Sequence, residues 1–174
     1  HDGLYCFDYL LQSYSAVASE KVLEQMLKLH SGYSHYENMT GVYLEQGEQV
    51  VLVGDMHGRA VQLLIPDWMR QPTPGYTPTK DPAGWGLKKQ IIPLKEGVNV
   101  IHVKKAGNVY VDYFADDPDK APKISIHFVT GKVNGYFDAG KQTNNDWKSL
   151  LDRAVSPIMD VKTRYMQLAY PVEY

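Results

Sequence analysis

Residues able to do chemistry are few in this chain, and none has the spacing of a catalytic or zinc-binding motif. The six histidines form no His-Glu-x-x-His or His-x-His pair, and the single cysteine, Cys6, excludes zinc sites built on two or four cysteines. No serine occupies a Gly-x-Ser-x-Gly turn. The sequence therefore predicts no catalytic residue and no metal site within the chain.

One acidic cluster is a candidate calcium site. Asp116, Asp117 and Asp119 lie close together in ADDPDKAP, and hard oxygen ligands at close spacing are what Ca²⁺ needs. The segment lacks the twelve-residue EF-hand pattern, and Asp-Asp-Pro-Asp is also ordinary turn chemistry. We expect a turn here, with calcium binding as the alternative.

A glycine-punctuated stretch, HFVTGKVNGYFDAG at residues 127–140, could be a phosphate cradle or a tight connection. It carries Gly131, Gly135 and Gly140. It has neither the Gly-x-x-x-x-Gly-Lys-Ser/Thr spacing of a P-loop nor the Gly-x-Gly-x-x-Gly of a dinucleotide fold. Glycine is the default residue where φ must be positive, so we predict structural turns.

The best candidate for a recognition surface is the segment 66–86, here called the proline-aromatic loop. It holds five of the ten prolines together with Trp68, Tyr76 and Trp85. Long loops inside compact domains are often functional, and aromatic rings can stack on sugars or anchor protein contacts. The alternative is that the three rings fold back and cover an edge of the sheet. We predict these three residues as the binding residues.

The elements that must position this loop are mostly strands. From residue 40 onward, short β-branched or apolar runs are separated by glycine-containing turns, which is typical of an antiparallel β-sandwich. The alternation in KISIHF places Ile124, Ile126 and Phe128 on one face, and that in VNVIHV places Val98 and Val100 together. We therefore predict a mainly β fold.

Two helical segments accompany the predicted sandwich. The spacing of Val22, Leu23 and Met26 predicts a helix over 4–30, and Thr143 with Asp146 predicts a capped helix over 143–154. We therefore divide the chain into an N-terminal helical segment, 1–35, and a β-sandwich domain, 36–174.

Composition narrows the classes of partner. Eighteen basic and twenty acidic residues give a formal net charge of −2, which provides no electrostatic footprint for nucleic acid. No apolar run approaches the roughly 18–20 residues that span a bilayer. We predict no nucleic-acid partner and no transmembrane segment. Thirteen tyrosines and three tryptophans favour β structure and a surface able to stack on sugars or peptides.

Three segments occur in an order that resembles a known enzyme family. They are YENMTGVYLEQGEQVVLVG, then IIPLKEGVNVIHVKKAGNVYVDYF, then APKISIHFVTGKVNGYFDAG with NDWKSLLDRA after it. On the strength of these segments, residues 36–170 resemble the N-terminal region of the enhancin-like, mucin-degrading zinc metallopeptidases of gut bacteria.

The resemblance implies a β-sandwich leading into a helical catalytic domain, whose zinc is held by a His-Glu-x-x-His helix and a downstream Glu. That helix is absent from this sequence, so no zinc ligand or catalytic Glu is carried over to any residue. We expect the chain itself to be inactive, with zinc in a catalytic domain that begins beyond residue 174.

The function implied by the resemblance is that of a non-catalytic domain of a secreted or bacterial cell-surface peptidase. Such a domain would help to position a mucin-type glycoprotein or glycan, or brace the adjacent catalytic domain of the same polypeptide. The alternative is an independent carbohydrate- or protein-binding module with no protease attached. A downstream His-Glu-x-x-His would support the first, and a stop codon the second.

Overall fold

The computed structural model describes residues 9–28, 38–68, 71, 73–77, 80–82, 88–164 and 166–173. Within these residues the fold is mainly β. Two helices are described over their full length, α1 (Glu20–Leu27) and α2 (Asn144–Asp152), and residues 9–10 are also helical. The strands are β1 (Leu11–Tyr14), β2 (Val17–Ala18), β3 (Asn38–Leu44), β4 (Gly47–Val53), β5 (Gln62–Pro66), β6 (Lys89–Pro93), β7 (Gly97–Val103), β8 (Gly107–Asp112), β9 (Phe114–Ala115), β10 (Ile124–Phe128), β11 (Lys132–Val133), β12 (Phe137–Asp138), β13 (Ile158–Lys162) and β14 (Gln167–Pro171).

Two antiparallel sheets carry most of the strands. One has four strands in the order β1-β10-β4-β7, and the other has five in the order β11-β3-β8-β5-β6. Side chains of both sheets belong to one hydrophobic core, which includes Val51 and Ile126 from the first sheet and Leu63 and Val111 from the second. This shared core supports the predicted antiparallel sandwich.

Side chains alternate along single strands with the predicted period, but in β7 the face predicted to be buried is exposed. Ile124, Ile126 and Phe128 are all fully buried in the shared core. Val98 and Val100 do lie on one face of β7, but they are 59% and 65% exposed, while Ile101 and Val103 on the opposite face are buried. The period-2 pattern is apolar on both faces here, so it could not indicate which face the core would take.

Two smaller sheets complete the fold. One has the order β12-β13-β14, with β12 parallel to β13, and the other pairs β2 with β9 in parallel. Asp160 in the middle of β13 reaches the five-stranded sheet, because its carboxylate accepts hydrogen bonds from Tyr110 and Asn108 of β8. The three-stranded sheet is thereby joined to the outer face of the five-stranded one.

The predicted N-terminal helix over 4–30 is wrong for much of its length. Helix is found at residues 9–10 and at Glu20–Leu27, whereas Leu11–Tyr14 and Val17–Ala18 are strands; residues 1–8 and 29–37 lie outside the described part. Strand β1 pairs with β10, more than a hundred residues away. The helical spacing rests on Val22, Leu23 and Met26 and does not extend to LQSY, where pairing with the distant strand β10 determines the conformation.

The second helix is confirmed with its cap. Thr143 and Asp146 form a reciprocal capping box at the start of α2, and Leu150 is its buried residue. Neither described helix has the length and apolar character needed to cross a membrane.

The glycine stretch at 127–140 has a structural role, as predicted. Gly135 has a φ of 71°, and its N–H donates to the carbonyl oxygen of Gly41 at 2.9 Å. A Cβ on Gly131 would lie 2.7 Å from Cγ1 of Val42. These glycines allow the turns after β10 to pack directly on β3.

Candidate functional site

The first part of the proline-aromatic loop is held against the five-stranded sheet. Asp67, directly after β5, donates its backbone N–H to the Lys88 carbonyl oxygen at 2.8 Å, and its carboxylate accepts from Lys105 Nζ at 2.7 Å. These contacts fix the backbone next to Trp68. The ring of Trp68 packs edge-to-face on Tyr110, with the ring centroids 6.4 Å apart, and remains 40% exposed.

The surface under Trp68 is the outer face of the five-stranded sheet. Strand register aligns Leu64 of β5 with Tyr110 of β8 on one side and Ile91 of β6 on the other. Leu64 and Tyr110 are buried, whereas Ile91 at the edge of the sheet is 51% exposed. Trp68 and Ile91 therefore add exposed apolar area above a rigid, buried base; we call Trp68, Ile91, Leu64 and Tyr110 the outer-face patch.

The other two predicted binding residues are not brought into this patch by any described contact. Tyr76 is 50% exposed in a turn where its N–H donates to the Thr73 carbonyl oxygen at 3.0 Å. That turn is anchored by Asp81, whose carboxylate accepts from both the N–H and the hydroxyl of Thr73. Trp85 lies outside the described residues. The structure thus describes Trp68 and Tyr76 as two exposed rings on one loop.

A buried carboxyl group lies directly beneath the patch. Asp160 is only 3% exposed and accepts hydrogen bonds from the Tyr110 hydroxyl and, at 3.0 Å, from Asn108 Nδ2. Burial raises the pKa of Asp160 to about 6, and the two hydrogen bonds oppose that rise without cancelling it. Tyr110 therefore connects the exposed Trp68 ring to a carboxyl group whose pKa is about 6.

The network continues into the loop before β13. Asn134 Oδ1 accepts from the backbone N–H groups of Val155 and Ser156, both at 3.0 Å, and Asn134 Nδ2 donates to the Ile158 carbonyl oxygen at 3.1 Å. Buried amides and a buried carboxylate thus fix the C-terminal sheet on the sandwich face.

Sequence reasoning missed Asp160, although a weak signal was present. It is the one charged residue between Ile158 and Val161 in a strand whose first four residues are all buried. A charge in such a run indicates a specific buried partner.

The aspartate cluster forms a turn, and two of its carboxylates have partners within the protein. Asp116 Oδ1 accepts from the Ser19 hydroxyl at 2.7 Å, and Asp117 pairs with Lys120 at 2.7 Å. Among the residues that the structure describes, no group of three or more His, Cys, Asp or Glu side chains is arranged to hold a metal ion. Asp119 shows no convergence with the other two, so the described geometry favours the turn.

Comparison with known proteins identifies the fold. No protein-family model matches the sequence, and no curated protein matches it significantly. Among solved structures, a metallopeptidase in complex with Tn antigen is 22% identical, with a TM-score of 0.75 over 99% of this chain. A metallopeptidase from Bacteroides thetaiotaomicron is 21% identical, with a TM-score of 0.75 over 96% of this chain.

A third match extends the comparison to Clostridium perfringens. The M60 catalytic domain of its ZmpC, in complex with the sialyl T antigen, is 13% identical, with a TM-score of 0.67 over 94% of this chain. The chain accounts for 31%, 27% and 34% of these three structures, respectively. It therefore spans about a third of their length, and its fold resembles part of metallopeptidase structures of the M60 or enhancin-like kind.

Proposed function

We propose that this chain is a non-catalytic N-terminal domain of an enhancin-like zinc metallopeptidase that acts on mucin-type glycoproteins. In this proposal, its two larger sheets form an antiparallel sandwich that positions the glycoprotein substrate or braces the catalytic domain. The zinc belongs to that catalytic domain, and the whole enzyme is secreted or held at the surface of a gut bacterium.

The observation that carries the proposal is the extent of the structural match. Nearly the whole chain, 94–99%, aligns with structures that are described as metallopeptidases or as their catalytic domains, yet it accounts for only about a third of each. A domain with this fold is thus found repeatedly within larger peptidases. Two of those peptidases are described with Tn or sialyl T antigen, which supports a mucin-type glycan as partner.

The outer-face patch supports a role in contact rather than in catalysis. Trp68 offers an exposed ring above a base fixed by Tyr110 and Asp160, and aromatic anchors on rigid bases are typical of binding surfaces. The patch is therefore proposed to meet either the substrate glycan or the adjacent catalytic domain.

An independent binding module remains the second candidate, because the exposed rings Trp68 and Tyr76 would serve it equally well. The coding sequence after residue 174 separates the two candidates. A His-Glu-x-x-His motif followed by chelator-sensitive cleavage of a mucin by the longer polypeptide would support the peptidase domain. Efficient mucin binding by a polypeptide that stops near residue 174 would support the independent module instead.

Replacing Trp68 by Ala is expected to weaken binding more than stability. The ring is 40% exposed, so its loss should cost about 1–2 kcal/mol, less than the roughly 3–5 kcal/mol of a fully buried tryptophan. Affinity for a mucin glycopeptide, or for the separately produced catalytic domain, should fall about tenfold or more. Calorimetric titration and thermal unfolding measure the two effects.

Trp147→Ala is the matched control for that experiment. Trp147 also packs edge-to-face on another ring, that of Phe137 at 5.3 Å, but it lies on α2. The Trp147→Ala variant should be less stable than the wild type, while its affinity for the mucin glycopeptide and for the catalytic domain stays unchanged. If Trp68→Ala melts several degrees lower with unchanged affinity for both probes, the patch only covers the sheet.

A further inference from the structure

A polar cavity of about 300 Å³ lies outside the outer-face patch, between the N-terminal strand, the start of β3 and the three-stranded sheet. Its volume is at the lower end of ligand pockets, which measure about 300–1,000 Å³. It suits a single ring-sized polar group. The residues that carry the argument are Gln12, Tyr14, Asn38, Tyr136 and Lys162, all of which line it.

The hydroxyl of Tyr14 is the first feature that points to a ligand. Tyr14 is 5% exposed, and its hydroxyl has no hydrogen-bond partner in the described part of the chain. Burial and then the neighbouring Tyr136 phenol raise its pKa, so the group remains a neutral O–H donor. The buried Tyr113 hydroxyl, by contrast, donates to the Pro122 carbonyl oxygen at 2.8 Å. Buried hydroxyls usually have such a partner.

Two amide side chains in the cavity are held in fixed orientations. Gln12 Nε2 donates to the carbonyl oxygens of Tyr9 and Thr40 at 2.7 and 2.8 Å. Asn38 Nδ2 donates to the Ser15 carbonyl oxygen at 2.9 Å. The amide nitrogens are therefore engaged with the backbone, and the amide oxygens supply acceptors in defined positions for ligand hydroxyl groups.

Lys162 adds one positive charge to this set. It ends β13 and forms no ion pair with any residue that the structure describes. Asp138, its register partner on β12, accepts instead from the Gly140 N–H at 3.0 Å and lies 3.8 Å from Lys141 Nζ. An uncompensated ammonium beside hydroxyl and amide groups favours an anionic, polyhydroxylated ligand.

We propose that this cavity binds one sugar residue that carries a carboxylate or sulfate group. The Tyr14 hydroxyl donates to a ring substituent, the oxygens of Gln12 and Asn38 accept from sugar hydroxyls, and Lys162 pairs with the acidic group. The choice of a sugar rests on the proposed function, whereas the site itself rests on the cavity and its unpartnered donor.

The test is titration of the isolated chain, followed by NMR, with three small probes. Methyl α-sialoside carries a carboxylate, N-acetylglucosamine 6-sulfate carries a sulfate, and methyl galactoside is neutral. At least one acidic probe should bind saturably, and the neutral sugar at least about tenfold more weakly, because one charge-assisted hydrogen bond is lost. Whichever acidic probe binds more tightly identifies the acidic group.

The variants Tyr14→Phe and Lys162→Gln complete the test. Tyr14→Phe should lower the affinity for the acidic probe about threefold to tenfold, because the proposed hydrogen bond to the ligand is lost. It should leave the melting temperature unchanged, because the hydroxyl that it removes has no partner within the described part of the protein. Lys162→Gln should abolish the preference for acidic over neutral probes. Tyr113→Phe, which breaks a satisfied buried bond, should lower stability and leave binding unchanged.

Three outcomes would overturn the site: no saturable binding of any probe, equal binding of the neutral sugar, or binding unaffected by both cavity variants. The mucin glycopeptide, titrated into the wild-type chain, distinguishes this site from the proposed function. If the glycopeptide fails to bind while the acidic probe binds, the proposed role in substrate contact is lost and the cavity stands; the reverse result removes only the cavity. Trp68→Ala should leave the binding of the acidic probe unchanged, because Trp68 does not line the cavity.

Discussion

Acidification from pH 7 to pH 3 is expected to stabilise the wild-type chain by about 3 kcal/mol relative to the variant Asp160→Asn. The pKa of Asp160 is raised by burial from its ordinary value of 3.8 to about 6 in the folded protein. The folded state therefore binds a proton more tightly than the unfolded state does, and that difference of about two pKa units corresponds to about 3 kcal/mol.

The sign follows from the same two values. The stabilisation is fully present below pH 3.8, where both states are protonated, and is lost as the pH rises through 6, where the folded carboxyl ionises. The amide side chain of the Asp160→Asn variant does not titrate, so the difference between the two proteins isolates this group from the other carboxylates. Urea unfolding at half-unit pH steps measures it.

Asp146→Asn is the control with the opposite sign. Asp146 is an exposed capping residue whose pKa is lowered by hydrogen bonds from the backbone and side chain of Thr143. Its contribution is present above pH 3.8 and falls on acidification. A wild-type advantage over Asp160→Asn that stays flat or shrinks toward low pH would show that the Asp160 carboxyl is not held in the desolvated setting described here.

The Asp160 carboxyl also bears on the candidate site. Its hydrogen bond to Tyr110 fixes the ring on which Trp68 packs. Because the pKa of Asp160 is about 6, its carboxyl ionises as the pH rises through that value. The hydrogen bond from Tyr110 then changes from neutral to charge-assisted. The rigidity of the base under Trp68 is thus set by a C-terminal strand that is distant from Tyr110 in the chain.

The parts of the fold that could be predicted from sequence are those in which local pattern and tertiary packing agree. Strand β10 alternates buried and exposed side chains, and Ile124, Ile126 and Phe128 are buried together as predicted. The cap of α2 is local chemistry between Thr143 and Asp146, three residues apart. In both elements the local pattern of side chains agrees with the packing that the fold requires, although β10 itself pairs with the distant strands β1 and β4.

The remaining parts depend on residues that are distant in sequence. β1 is a strand because it pairs with β10, and Asp160 is buried because Tyr110 and Asn108 provide donors from β8. Similarly, the composition of the proline-aromatic loop drew attention to Trp68, but the ring's position on Tyr110 follows from the register of β5 and β8. The periodicity of a single segment does not reveal which distant residues will pair with it.

Gly41→Ala is expected to cost about 3 kcal/mol or more of unfolding free energy, because backbone strain and overpacking add. Gly41 lies in β3 at a register shift of its pairing with β8 and has a φ of 71°. An alanine there adds about 1–2 kcal/mol of left-handed backbone strain. Its Cβ would also lie 2.7 Å from Cε1 of the Tyr9 ring, closer still to Cδ1, and 3.2 Å from the Gly135 Cα. Overpacking of this kind adds about 1–3 kcal/mol.

Gly58→Ala separates the two contributions, because Gly58 has nearly the same φ, 70°, with nothing within 4 Å of the added Cβ. The free energy of unfolding of Gly58→Ala should fall only by the added backbone strain, about 1–2 kcal/mol. The excess loss in Gly41→Ala then reports the Tyr9 contact, and a double-mutant cycle with Tyr9→Ala should recover most of that excess. Denaturant unfolding measures all of these proteins. Equal losses at Gly41 and Gly58 would mean that the Tyr9 ring moves aside freely, and the close approach of β3 to the N-terminal segment would then contribute nothing to stability.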